Sequence, residues 1–200
     1  MFGFFKKGLS RYDRRDALAA QDLYRAALRQ SRREEFFLRF GVPDTVDGRF
    51  DLFLIHVYMI FFRLRNHKRY KDISQCLFDT AFREIDKSLR EAGVGDVSVP
   101  KYMKKMMEAF NGRMNVYKQA SEYEQEDPKV PIAPGHPLFD ALRRNLYGTL
   151  EKPEESTIAD MVKYMRASMF DLVSQDLEEI ALGNVRFLAF APDAGEKKKV

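Results

Sequence analysis

The chain has 200 residues, 45% hydrophobic and 32% charged, with 11 Gly and 8 Pro, which excludes collagen-like, low-complexity and wholly disordered classes and predicts one folded core. Its single cysteine, Cys76, rules out an internal disulfide, and no Cys/His pair sits at zinc-ligand spacing, so a reducing cytoplasm suits it. The formal charge is +4, but residues 1–71 carry 16 Lys/Arg against 8 Asp/Glu while residues 72–200 carry 18 against 22; a basic first third suits RNA, a ribosome or an anionic membrane surface equally.

The opening MFGFFKKG puts Phe2, Phe4 and Phe5 ahead of Lys6 and Lys7, the reverse of a secretory signal. That order fits either a weak interfacial anchor or a tail lying against the core, and residues 1–13 are set apart as an aromatic and basic segment. From Arg14 to Gln30, Leu18, Leu23, Ala27 and Leu28 recur at near-helical spacing. Ser31 and Glu34 form the pattern of a capping box for a short helix through Phe40, stopped by Gly41. GVPDTVDGRFD then holds Pro-Asp and Asp-Gly turn signals, with Asp47 placed to cap the next helix. That helix, about Gly48 to Asn66, is apolar almost all round and should be the most buried element. Its longest apolar run, Leu52 to Phe62, is about half of the roughly 20 residues a membrane span needs. RLRNHKRYK follows as a solvated basic stretch.

Asp72 with Gln75 offers a further cap, and Ile73, Leu77, Ala81, Ile85 and Leu89 step by four along a regular helix ended by Gly93. GVGDVSVP leads into a helix with Pro100 in its first turn, whose apolar stripe is Met103, Met106, Met107, Phe110, Met114 and Tyr117. Four prolines break the segment around 126–137 into an exposed loop. A short helix near Leu138 to Tyr147 and a longer one from about Ser156 past Leu172, with Ile158, Met161, Met165 and Met169 inward, complete the pattern. VRFLAF reads as extended, and residues 191–200 as a disordered basic tail. The expected fold is all-α: a single-domain bundle of six or seven helices over residues 14–190.

Little here points to catalysis. His56, His67 and His136 lie in an apolar helix, a basic run and a Pro-rich loop, and His56 reads as a core histidine satisfied by one hydrogen bond rather than a ligand. Cys76 has no basic neighbour to lower its pKa and reads as a buried inert thiol. There is no G-x-S-x-G elbow, and GVGD lacks the strand-loop-helix setting of a phosphate loop, so no enzyme activity, cofactor or metal is expected. Methionine says more: seven of nine fall on two helices. Such stripes either line an adaptable groove for apolar segments or fill a core. Lys101, Lys104 and Lys105 beside the first stripe meet an acidic partner or form a solvated face.

Three segments, YRAALRQSRREEFF, GVPDTVDGRFDLFLIHVYMIFFRL and DTAFREIDKSLREAGVGDVSVPKYMKKMMEAFNGR, together resemble the ubiquinol-cytochrome c chaperone family, over about Leu18 to Tyr117. The loops GVPDT-x-DGRFD, SLRE-x-GVGD and F-x-GR carry the resemblance; in FNGR, Asn111 stands where the family pattern has an aromatic residue. The resemblance implies a non-enzymatic assembly chaperone for the cytochrome bc1 complex, with newly made cytochrome b as client. In mitochondrial members it implies a place near the ribosomal tunnel exit. With the matching domain beginning near the start of the chain, it implies a bacterial protein in the cytoplasm or on the inner face of its membrane.

Two readings of the loop residues stand side by side. Arg49 and Arg113 each suit bidentate bridging of a carboxylate, with Asp44, Asp47, Asp86, Glu91 and Asp96 as partners, which would clamp the loops. Alternatively Asp44, Asp47, Arg49, Arg90, Gly93, Gly95, Asp96, Lys101 and Arg113 rim a client-binding surface floored by Met103, Met106, Met107, Phe110 and Met114. Competing functions are a ribosome- or RNA-binding module using Arg11, Arg14, Arg15, Arg25, Arg29, Arg32, Arg33 and the basic stretch, or a peripheral membrane adaptor; DNA is not expected.

Overall fold

The structure is a computed structural model and describes residues 12–124 and 131–190. The N-terminal Phe-rich segment, the first part of the Pro-rich loop and the basic tail lie outside the described residues. The helices are α1 (Arg14–Ser31), α2 (Glu35–Leu38), α3 (Val46–Leu64), α4 (Tyr70–Glu91), α5 (Val99–Glu124), α6 (Pro137–Asn145), α7 (Glu155–Ser174) and α8 (Leu177–Ala181). No strand occurs among the described residues, and VRFLAF runs without regular structure. The all-α expectation therefore holds, with one additional short helix, α8.

Helix α3 is the axle. Every residue from Asp51 to Phe61 is buried, and α1, α4, α5, α7 and α8 all pack against it. An all-round apolar helix has no solvated face to offer, so it takes the centre of the bundle. Full burial of each large aliphatic or aromatic side chain there contributes about 1.5–3 kcal/mol.

Four local expectations are corrected. The Ser31–Glu34 box does not form, because Ser31 still belongs to α1 and its hydroxyl donates back to the Leu28 carbonyl at 3.0 Å. Thr45 rather than Asp47 caps α3, its Oγ1 accepting from Gly48 N at 3.1 Å. Helix α4 starts at Tyr70 with no side-chain cap, and Gln75 donates instead to Asp79 Oδ1 at 2.9 Å. The stretch after α3 is only partly solvated. Arg63 donates to the carbonyls of Leu172 and Gln175, both at 2.6 Å. Arg69 reaches Asp16 at 2.7 Å and the Ala181 carbonyl at 3.0 Å. Buried His67 meets Glu178 at 3.2 Å. These side chains fasten the α3–α4 turn to α1, α7 and α8, because the last carbonyls of a helix need donors and the guanidinium fork supplies two at once.

The remaining histidines are also structural. His136 caps α6, its Nδ1 accepting from Leu138 N at 3.2 Å. His56 sits at the core with Nδ1 2.8 Å from the Leu52 carbonyl and Nε2 2.9 Å from the Tyr164 hydroxyl, which accepts from Gln30 at 3.1 Å. Burial lowers the His56 pKa to about 4, so it is neutral at pH 7. Burial likewise pushes the Cys76 thiol up to about 11, which keeps it unreactive. Among the described residues no cluster of His, Cys, Asp and Glu can hold a metal, and no helix is long and apolar enough to cross a membrane.

Candidate functional site

The arginines of the family-like motifs do act as clamps, though from helices rather than loops: Arg49 lies in the first turn of α3, Arg90 in the last turn of α4, and F-x-GR, expected as a loop, falls within α5. Arg113 on α5 grips Asp51 on α3 through both guanidinium edges, Nη2 donating to Oδ2 at 3.1 Å and Nε to Oδ1. Asp51 keeps 4% of its side-chain surface and Arg113 24%. Burial raises the Asp51 carboxyl above its ordinary pKa, with Arg113 opposing the shift. Arg49 donates to Asp44 at 2.5 Å and lies over the Phe37 ring at 5.4 Å, holding the Asp44 carboxyl below the usual range. Arg90 donates to Asp86 Oδ2 at 2.8 Å and also to Asp96. Asp47 is exposed in the first turn of α3. Asp51 was not among the partners expected from the sequence. Its signal was there all the same: a lone carboxylate in the apolar helix demands a buried cation.

The residues expected as the floor do not share one surface. Phe110 is fully buried, ringed by Phe61, Phe78 and Phe82 at 5.0–6.3 Å between centroids. Met103 is buried too, whereas Met106, Met107 and Met114 are half-buried. Lys101, Lys104 and Lys105 line a polar hollow with Ser98, Tyr102 and Glu108, and no methionine lines it. Gly93, Gly95 and Asp96 are exposed in the α4–α5 connection.

A different surface emerges where the C-terminal parts of α3, α5 and α7 meet. One hollow of about 440 Å³ is walled by Phe62, Ser121, Leu138, Arg166, Met169, Phe170 and Val173. A neighbour of about 520 Å³ is walled by Tyr58, Phe61, Phe62, Arg65, Tyr70, Met114, Lys118 and Glu122, and again by Ser121. Phe62 and Ser121 belong to both, so the two form one open crevice with Met114 as the expected methionine that reaches it. Phe170 is 81% exposed and Val173 53%, one turn apart on α7 and facing away from its buried stripe of Ile158, Met161, Met165, Met169 and Leu172. Sequence reasoning missed this face by following that stripe. Apolar residues lying off an amphipathic helix's inward face were the available signal.

Such a crevice, apolar inside with Arg65 and Lys118 at its edge, offers apolar area that a chain segment can cover. The model for "Ubiquinol-cytochrome C chaperone" matches residues 38–187. The ubiquinol-cytochrome c reductase complex assembly factor 1 of Mus musculus is 27% identical over 173 residues, 85% of this chain and 55% of the mouse protein. Its Homo sapiens counterpart is 25% identical over 167 residues, 82% of this chain and 52% of the human protein. The chain thus spans about half the length of these relatives. The crystal structure of the Cbp3 homologue from Brucella abortus superposes with a TM-score of 0.70 at 27% identity, covering 86% of this chain and 91% of that one. With three quarters of its length matched by the family model and a fold shared with a solved relative, the chain belongs to the ubiquinol-cytochrome c chaperone family.

Proposed function

We propose that this protein is an assembly chaperone of the ubiquinol-cytochrome c reductase complex. In this reading it holds apolar segments of newly made cytochrome b in the Phe62 crevice until they pack into the complex. The observation that carries the reading is the open apolar crevice ending in Phe170 and Val173, in a chain that belongs to a chaperone family. A membrane subunit outside its complex exposes apolar helices, and each Å² removed from water is worth about 25 cal/mol. A chaperone of this kind works by binding and release, with no bond made or broken.

The test is twofold. Deleting the protein should lower assembled bc1 complex and cytochrome b while other respiratory complexes persist, and a photo-crosslinking residue at Phe170 should capture cytochrome b. Normal bc1 levels in the deletion strain overturn the reading.

The Lys101, Lys104 and Lys105 hollow with half-exposed Tyr102 favours a second contact, with ribosomal RNA phosphates. Affinity for ribosomes would then fall steeply with salt, unlike apolar capture. The footprint is narrower than the basic stretch implied, since Arg63 and Arg69 are engaged internally.

A further inference from the structure

The crevice sorts its lining by charge as well as by polarity. Its floor is Phe61, Phe62, Met114, Met169, Phe170 and Val173. Among the described residues, the charges around the floor residue that both hollows share are those of Arg65 and Lys118 with the carboxylate of Glu122. Arg65 lies over the Phe62 ring at 3.8 Å, which fixes a cation directly above the floor residue that both hollows share. Lys118 stands 3.9 Å from Glu122 with its side chain 72% exposed, so these two offset each other and, among these described residues, Arg65 is left as the excess positive charge.

Resting on the reading of the protein as a chaperone for an apolar membrane subunit, we infer that the crevice takes one apolar helical segment whose adjoining flank carries Asp or Glu. A segment flanked by Lys or Arg is turned away. Two connected hollows of about 440 and 520 Å³ each accept more than one side chain, as a groove for helix anchors one turn apart requires. Phe170 and Val173 extend the floor outward along α7 at the i, i+3 spacing that meets such a helix.

Rim charges set which partner is admitted more than how tightly it is held, because like charges facing each other across an apolar contact are penalised. The field reaches only about 8 Å at physiological salt, so it is the immediate flank that is read. Membrane segments concentrate Lys and Arg in their cytoplasmic flanks. A cationic rim therefore engages a segment by its other end, and leaves the basic end free.

The probes are two soluble helical peptides with the same apolar face, one ending in Glu-Glu and the other in Lys-Lys, titrated by fluorescence anisotropy into the full chain at low and at high salt. At low salt the Glu-ended peptide should bind at least tenfold tighter, with the gap shrinking in high salt. Lys118→Glu should cut the preference severalfold with melting unchanged. Arg65→Glu should cut it further, and if that variant melts early the Lys118→Glu result alone decides. Phe170→Ser should weaken both peptides alike.

Equal binding of the two peptides at low salt overturns the inference. So does binding of phosphatidylglycerol vesicles in place of either peptide, or a Phe170-dependent dimer that excludes both. The two readings fail separately. Reduced bc1 complex in the deletion strain together with charge-blind peptides leaves the chaperone and removes the rim selectivity. Normal bc1 levels with charge-selective peptides do the reverse.

Discussion

Two connections carry the family-like loops, and they are anchored in opposite ways. The α2–α3 connection, 39–45, feeds a helix that plunges at once into the core. Asp51 is locked to Arg113 there, and Gly48 lies so close to the Pro43 carbonyl that a Cβ would sit 2.1 Å from its oxygen. The α4–α5 connection, 92–98, is held by Arg90, Asp86 and Asp96, all open to water at their rims. Only Gly93, at φ +82°, has a backbone requirement there, and both Gly93 and Gly95 have nothing within 4 Å of a Cβ. Similar residue types thus build a rigid joint in one place and an adaptable one in the other. Burial, rather than the Gly/Asp/Arg signature, separates them.

The largest effect should come from breaking the buried joint. Asp51→Ala leaves the guanidinium of Arg113 without its carboxylate inside the protein, at a cost of about 3 kcal/mol or more and a Tm lower by roughly 10 °C. Calorimetry checks it. The double change Asp51→Leu with Arg113→Met removes both charges and should restore most of the loss. Restored melting with lost cytochrome b capture would give the pair a role beyond anchoring.

Next comes pH. Unfolded His56 takes a proton near 6.5, while in the fold it does so only near 4. Between those values the unfolded state binds more protons, so stability rises with pH and is lost on acidification, by about 3 kcal/mol at pH 4. Asp16 and Asp51, both raised by burial, slope the opposite way in the acid part of that range. The comparison that isolates His56 is therefore the native chain against His56→Gln: urea midpoints measured from pH 7 to pH 4.5 should fall less in the variant.

Exchanging single methyl groups sharpens the contrast between the joints. Gly48→Ala drives a Cβ into the Pro43 carbonyl and should cost about 1–3 kcal/mol as the turn shifts. Gly95→Ala points into open space with an ordinary φ and should leave melting unchanged. Equal melting of the two variants would show that the α2–α3 turn yields freely.

The sequence disclosed most of the fold because its helices obey one periodicity, and α3 announced its central place by having no polar face. It disclosed the clamps in kind but not in pairing: Arg113 was legible as a bridging residue, yet its partner Asp51 lay 62 positions away, beyond any local spacing. The crevice was the least legible part. Phe62 and Phe170 become neighbours only when α3 packs on α7, and an apolar residue on a helix's outer face looks like noise until another helix stands beside it. Methionine content misled in the same way: Met161 and Met165 are wholly core, Met169 shows only an edge to the crevice, and of the α5 methionines Met114 alone lines it.

The smallest expected effect is also the most informative about the adaptable joint. Asp96 is 88% exposed and Arg90 keeps Asp86 as a partner without it, so Asp96→Ala should leave Tm where it was, because water replaces the lost contact at little cost. What should change is the order of the connection. Freed from Arg90, the peptide groups of 95–97 should exchange hydrogen faster, while those of the Gly93 turn, tied by Gly93 N to the Arg90 carbonyl and Val94 N to the Leu89 carbonyl at 3.0 Å each, keep their protection. Cytochrome b capture then decides what the loop is for. If capture drops while melting holds, the α4–α5 connection belongs to the rim that recognises the client. If capture is untouched, its charges only tidy a solvent-facing turn, and recognition rests with the crevice on the α3–α5–α7 side.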